Sequence, residues 1–212
     1  MLPDTKIYQY DRRTLEADAL DLSCLSQDEQ ERAAKFVFPE DEQWFRLCRA
    51  KLRTILAAEL GQAASTLQFT YNAAGKPTVS GIQFNISHSK QRLMIATHPI
   101  NEIGVDIECY EDQDHSAIMQ RFFHQDEIDL YLTLPVTMQQ QAFYHLWVIK
   151  ESIAKALGIS LYKVLDDVAI TGFVDGKNIK IKGELGKRLQ VSLLPFTDNH
   201  YAAIAEITHY RD

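Results

Sequence analysis

Two stretches of this chain finish alike. One runs Ala57-Ala58-Glu59-Leu60-Gly61 and the other Ala154-Lys155-Ala156-Leu157-Gly158. Each reads as the end of a helix closed by glycine, the residue that takes a left-handed conformation without strain. Each is followed by a strand-like run and then Gly-Lys, at Gly75-Lys76 and Gly176-Lys177. Each half later holds an alanine-containing strand, over residues 93–97 and 201–207. This echo constrains the chain to two similar α+β units of about a hundred residues, a usual domain size. The units are drawn at 1–110 and 111–212, each expected to be a mostly antiparallel sheet packed on a long helix.

The stretch 103–108 is apolar and β-branched, which predicts a buried strand. Side chains two apart on a strand share a face, so Asp106 and Glu108 project together. Two like charges so close repel, and burial adds to the cost. A hard cation relieves both, because Mg²⁺ takes oxygen ligands while keeping waters or phosphates. Taken alone, an Asp-x-Glu pair is more often a strand end facing solvent.

A second segment changes the balance. Residues 137–157 read as one long helix, with Thr137 as cap, Gln140 as capping-box partner and Gly158 as terminator. Trp147, Glu151 and Lys155 are spaced i, i+4, i+8 and share a face. Beside it runs an apolar stripe of Phe143, Leu146, Ile149, Ile153 and Leu157. A Glu-Lys pair flanked by tryptophan on one face is partly buried and needs a reason to be so. The reason offered is that Glu151 completes a metal site and Lys155 meets a phosphate.

The net charge of -7 argues against a nucleic-acid partner, which calls for a basic footprint. It is compatible with an anionic substrate because the charges are segregated. Residues 32–53 hold the bases Arg32, Lys35, Arg46, Arg49, Lys51 and Arg53, whereas 102–129 is acidic except for Arg121. Arg46 reads as a solvated helix residue and Arg49 as a phosphate contact. The cluster from Lys177 to Arg188 reads as an exposed strand edge guarded by lysines. No apolar run approaches the ~20 residues that span a membrane. Cys24, Cys48 and Cys109 show neither disulfide nor zinc spacing. The N-terminal stretch carries acids and has no signal-peptide core, so the expected location is cytoplasmic.

Asn85-Ile86-Ser87-His88-Ser89, Gly104-Val105-Asp106-Ile107-Glu108 and Trp147-Val148-Ile149-Lys150-Glu151-Ser152-Ile153-Ala154-Lys155, in this order, resemble the 4′-phosphopantetheinyl transferase family. Gly75-Lys76-Pro77 and the stretch from Glu31-Arg32 to Phe36-Val37-Phe38 add to the likeness, and the length is similar to the larger Sfp type. The resemblance implies two pseudo-twofold halves with the site between them, in a monomer. It implies transfer of phosphopantetheine from coenzyme A to a serine of an apo acyl, peptidyl or polyketide carrier protein. The cofactor would be Mg²⁺, with Mn²⁺ as the alternative, and adenosine 3′,5′-bisphosphate would leave.

By position, the resemblance implies Asp106, Glu108 and Glu151 as metal ligands, with Glu151 also a candidate base. Lys155 would touch the pyrophosphate. Arg32, Gly75, Lys76, Pro77, Ser87 and His88 would belong to the coenzyme A site. Ile107 stands where some members carry a polar residue, so water would fill the remaining metal position. His88 reads as lying in a polar turn, where it either donates to a phosphate oxygen or bonds its own turn. Phe122, Phe123 and Tyr131 are docking candidates for the carrier, with ordinary core the favoured reading. The rival activity is a metal-dependent phosphohydrolase that uses the same three acids with water as nucleophile.

Overall fold

The computed structural model describes residues 4–165, 167–174, 176, 179–196 and 198–208. The chain begins β1 (Lys6–Asp11), α1 (Arg12–Ala17), α2 (Gln27–Ala33), α3 (Pro39–Leu60), β2 (Thr70–Tyr71), β3 (Pro77–Thr78), β4 (Gln83–Ser89) and β5 (Arg92–His98). It continues β6 (Ile103–Cys109), α4 (Ser116–Phe122), α5 (Gln125–Thr133), α6 (Val136–Leu157), α7 (Tyr162–Leu165), β7 (Ile170–Thr171), β8 (Lys180–Ile181), β9 (Leu189–Leu194) and β10 (His200–Ile207). This is the α+β class expected. Two antiparallel three-stranded sheets carry it, with orders β1-β5-β4 and β6-β10-β9. In both, the strand latest in sequence lies in the middle, and a 22-residue helix follows the first strand. Both helices end on a glycine at positive φ, Gly61 at 65° and Gly158 at 64°, as the matching sequence ends predict. Lys177 of the second Gly-Lys lies outside the described residues.

The strand with the two acids departs from the boundary drawn at residue 110. β6 hydrogen-bonds along its length to β10, with Asp106 opposite Ala203 and Glu108 opposite Tyr201. It opens the second sheet instead of closing the first half. The physical reason is its apolar face. Ile103, Val105 and Ile107 are fully buried among Met94 and Ala96 of β5 and Ala202 and Ile204 of β10, so they glue the sheets together.

α6 also starts differently. Pro135 is the N-cap and its carbonyl accepts from the Met138 amide at 2.8 Å, which leaves Thr137 inside the first turn and the capping box unformed. Among the described residues of the basic cluster near 180, Lys180–Ile181 is an edge strand and Glu184–Lys187 is a 3-10 turn.

The core sits on the two long helices. Leu52 and Leu56 of α3 pack with Phe84, Leu93 and Ile95 of the first sheet. Leu146, Ile149 and Ile153 of α6 pack with Ala203 and Ala205 of the second, and the same cluster holds Phe123 and Tyr131, with Phe122 against it. Phe123 and Tyr131 are core, the favoured reading, and Phe122 is half-buried at its margin.

Two contacts fix α6 in place. β6 approaches it through Gly104, where an added Cβ would lie 2.1 Å from the Ser152 carbonyl oxygen and 2.2 Å from the Ala156 nitrogen. On another face, Lys150 is fully buried. Its Nζ lies 2.8 Å from Glu127 Oε2 of α5 and 2.8 Å from the Val168 carbonyl, and it also donates to Leu165 O. Removing one member of a buried pair strands the other charge, at a cost of about 3 kcal/mol or more. Lys150→Met is expected to lower stability by about that amount, read from urea midpoints. The double variant Lys150→Met/Glu127→Leu should recover part of the loss, because no stranded carboxylate remains.

Candidate active site

The acids of β6 and the charged face of α6 meet along one seam. Asp106, Glu108 and Gly104 alternate with the apolar residues of β6, so they turn toward α6. Glu151 and Lys155 are one turn apart on that helix. Lys155 Nζ reaches Asp106 Oδ1 at 2.6 Å and Ser87 Oγ at 3.0 Å. Ser87 in turn donates to the same Oδ1 at 3.0 Å. Asp106 is 2% exposed, and its other oxygen, Oδ2, is buried with no hydrogen-bond partner.

The acids feel one another. Burial raises Glu108 to about 7, the charges of Asp106 and Glu151 add to the rise, and Ser89 and Lys155 oppose it. Glu151 is also raised by burial, against Lys155, with Asp106 adding to the rise. Such crowding is relieved by a cation. Among the described residues, however, no three of His, Cys, Asp and Glu stand close enough to hold a metal ion by themselves. The expected trio thus shares a field of negative charge without forming a finished cage. This donor set fits Mg²⁺, which usually takes one or two carboxylates and completes its shell with waters and substrate phosphates. The orphaned Asp106 Oδ2 fits the same reading.

The first sheet supports this seam through β4. Asn85 Oδ1 accepts from the Val105 amide at 2.9 Å, and Ser89 Oγ donates to Glu108 Oε2 at 3.1 Å while accepting from the Cys109 amide at 3.0 Å. Asn85, Ser87 and Ser89 therefore lie on one face of β4 and close the free edge of β6. The sequence reading singled out Ser87 for the coenzyme; the structure sets it against Asp106. Asn85 and Ser89 were missed, though polar residues at i, i+2 and i+4 of a strand are a readable signal.

His88 points the other way, from a strand and not from the expected turn. Surrounding protein, then the nearby Lys155, lower its pKa, so the neutral ring prevails at neutral pH. It lines a cleft of about 230 Å³ with Arg32, Arg49, Tyr71, Gly75 and Pro77. Five of the residues assigned to coenzyme A are thereby brought together. Within that cleft, Arg32 lies over the Phe45 ring at 5.4 Å. Arg49 is not free: its Nη2 lies 2.5 Å from Glu29 Oε1, and Arg53 holds the other oxygen of that buried glutamate. Arg46 pairs with Glu42 at 2.7 Å, the solvated helix pair expected.

An adjoining cleft of about 210 Å³ is lined by Gly75, Lys76, Pro77 and Lys155. Another, of about 480 Å³, holds His88, Glu108, Glu111, His115 and Trp147. Lys76 lines the cleft it shares with Lys155 with its ammonium already engaged, since its Nζ donates to the Ile103 carbonyl at 3.0 Å and the Ala156 carbonyl at 3.3 Å. It ties β6 to α6.

Burial lowers Lys76 from 10.5 to about 8, with Glu102 opposing. Between these values the unfolded chain keeps a proton that the folded chain has released, so stability rises with pH across the window. Below about 8 the fold carries the buried charge. Lys76→Met is expected to flatten that rise, measured as urea midpoints of both proteins from pH 7.5 to 10.5. Parallel curves would contradict it.

Comparison with known proteins gives a consistent picture. A family model described as the 4′-phosphopantetheinyl transferase superfamily matches residues 102–205, and another, described as 4′-phosphopantetheinyl transferase, N-terminal, matches residues 14–100. The chain is 34% identical to the 4′-phosphopantetheinyl transferase HetI of Nostoc sp. over 74% of its length and 70% of that protein's. It is 30% identical to the 4′-phosphopantetheinyl transferase Sfp of Bacillus subtilis (strain 168), over 74% and 70%. For the putative 4′-phosphopantetheinyl transferase slr0495 of Synechocystis sp. the identity is 33%, over 69% and 62%.

Proposed function

Because this chain belongs to the 4′-phosphopantetheinyl transferase superfamily, and to its Sfp type, we propose that it moves the phosphopantetheine of coenzyme A onto a serine of an apo carrier protein. The observation that carries this reading is the meeting of Asp106 of β6 and Lys155 of α6 at 2.6 Å, beside Glu108 and Glu151 and next to a cleft with basic walls.

Phosphoryl transfer asks a protein mainly for positioning and charge neutralisation. Arg32 and His88 face the cleft where the coenzyme's phosphates would lie, and neutral His88 can donate its ring N–H to a phosphate oxygen. Lys155 supplies a compact positive charge to the pyrophosphate. Asp106, Glu108 and Glu151 would hold Mg²⁺, or Mn²⁺ in its place, which when bound offsets charge on the phosphorus under attack and on the leaving group. Glu151 is raised above an ordinary carboxylate by burial, which makes it a stronger base than a solvated carboxylate. It takes the serine proton as the serine oxygen bonds to phosphorus. The bridging P–O bond breaks and adenosine 3′,5′-bisphosphate departs.

The repeated sheet order fits two pseudo-twofold halves, with the site where they meet, within one chain acting as a monomer. The described residues contain no helix long and apolar enough to cross a membrane, and a cytoplasmic setting suits a partner that is itself a biosynthetic carrier.

The test is mass spectrometry of apo carriers from fatty-acid, polyketide and nonribosomal-peptide systems after incubation with the protein, coenzyme A and Mg²⁺. One phosphopantetheine on the carrier serine is expected. An unmodified serine in every carrier class overturns the reading. Mg²⁺-dependent breakdown of coenzyme A without any carrier would instead favour a phosphohydrolase.

A further inference from the structure

We propose that Lys155 is the internal counter-ion of Asp106 in the free enzyme, and yields that place only when the cation and the coenzyme's phosphates arrive together. This rests on the transferase reading above and adds an order to it.

Lys155 is assigned to a phosphate by its motif, yet Asp106 already holds it. Its Nζ is 2.6 Å from Oδ1 and 3.0 Å from Ser87 Oγ, and Ser87 Oγ is 3.0 Å from that same Oδ1, so the three groups form a closed triangle. A carboxylate that is 2% exposed needs such a partner. One lysine does not satisfy the seam, however. Asp106 Oδ2 stays buried and unpartnered, and Glu108 and Glu151 add negative charge alongside. The free protein thus has a cation bound to its acids already, of lower charge than the one it would need for the reaction.

A metal ion entering alone must compete with that ammonium, and among the described residues no cage of three acids stands ready to reward it. The lysine would then be left beside a divalent cation with no anion in exchange. Phosphates supply the exchange. Lys155 also lines the cleft shared with Gly75, Lys76 and Pro77, and its side chain is 29% exposed on a flexible four-carbon stem. It can turn from Asp106 to a phosphate without moving α6. Metal and coenzyme should therefore help each other bind, and by linkage each must help the other equally.

The experiment titrates Mn²⁺ as probe, by electron paramagnetic resonance, into the wild-type protein with and without coenzyme A. The variants Lys155→Gln and Lys155→Arg are titrated without it. The wild type should bind Mn²⁺ weakly alone and at least about fivefold more tightly with coenzyme A. Lys155→Gln should bind Mn²⁺ alone at least about fivefold more tightly than wild type. Lys155→Arg, which keeps the charge, should stay near wild type and thereby separates charge from repacking. The counter-ion role is overturned if Lys155→Gln is no tighter than wild type, or if Lys155→Arg tightens as much. Should the wild type take up Mn²⁺ neither alone nor with coenzyme A, the metal reading itself falls. Should it do so with coenzyme A while Lys155→Gln alone remains weak, only the counter-ion role falls.

Discussion

Gly104→Ala is expected to yield little or no folded protein. The methyl group would sit 2.1 Å from the Ser152 carbonyl oxygen and 2.2 Å from the Ala156 nitrogen. Both are backbone atoms of α6, so no rotamer change can make room. The alternatives are to bend a packed helix or to push β6 off it. The second separates Asp106 from Lys155 and drives Ile103, Val105 and Ile107 into the first sheet they already pack against. A cost of at least about 5 kcal/mol follows from overpacking against rigid backbone, at the extreme of single substitutions. That rivals the whole stability of an ordinary domain, about 5–15 kcal/mol. Soluble yield and the urea midpoint of any soluble fraction are the measurements. A well-folded variant with a midpoint near wild type would show that strand and helix can part without harm.

Asp106→Ala should do the opposite, leaving the fold and removing the chemistry. Its neighbours at the seam are Ser87, Lys155 and the two other acids, and Lys155 can turn toward solvent, so the expected destabilisation is about 1–2 kcal/mol. Transfer to a carrier serine should fall at least about a thousandfold, since metal stabilisation of transition-state charge is worth several kcal/mol and each 1.4 kcal/mol is tenfold. Carrier modification rates beside thermal unfolding curves separate the two effects. Full activity of this variant at ordinary Mg²⁺ would contradict the metal role of Asp106.

The parts of this architecture that depend on local spacing were legible in the sequence. The alternation of Val105, Asp106, Ile107 and Glu108 gives a strand with both acids on one face. The stripe beside Trp147, Glu151 and Lys155 gives a long helix ended by Gly158. What escaped is set by partners distant in the chain. Nothing local says that β6 will pair with β10 across about ninety intervening residues, because an apolar strand accepts any edge with matching register. Lys76 sits in a motif that looks made for a phosphate, yet its ammonium is satisfied by two carbonyls from separate elements. Lys150 was passed over, although a lysine adjoining Ile149 and Ile153 in an apolar stripe is itself a sign of a buried pair, and its partner Glu127 lies on another helix. Ser87 was singled out for the coenzyme, but its contact with Asp106 was not foreseen, since its strand face depends on how the two sheets stack.

The polar side chains that line one face of β4 bring a further consequence. β6 is an outer strand of its sheet, but β4 covers its free edge, so the amides there would otherwise be buried without partners. Asn85 and Ser89 occupy amides of that edge, while Ser87 holds the acid between them. The same short run that steadies the reactive carboxylates therefore also seals the join between the two sheets. Variation here in pursuit of new substrates carries a stability penalty, and a lower urea midpoint should accompany lost activity when Asn85 and Ser89 are both replaced by alanine.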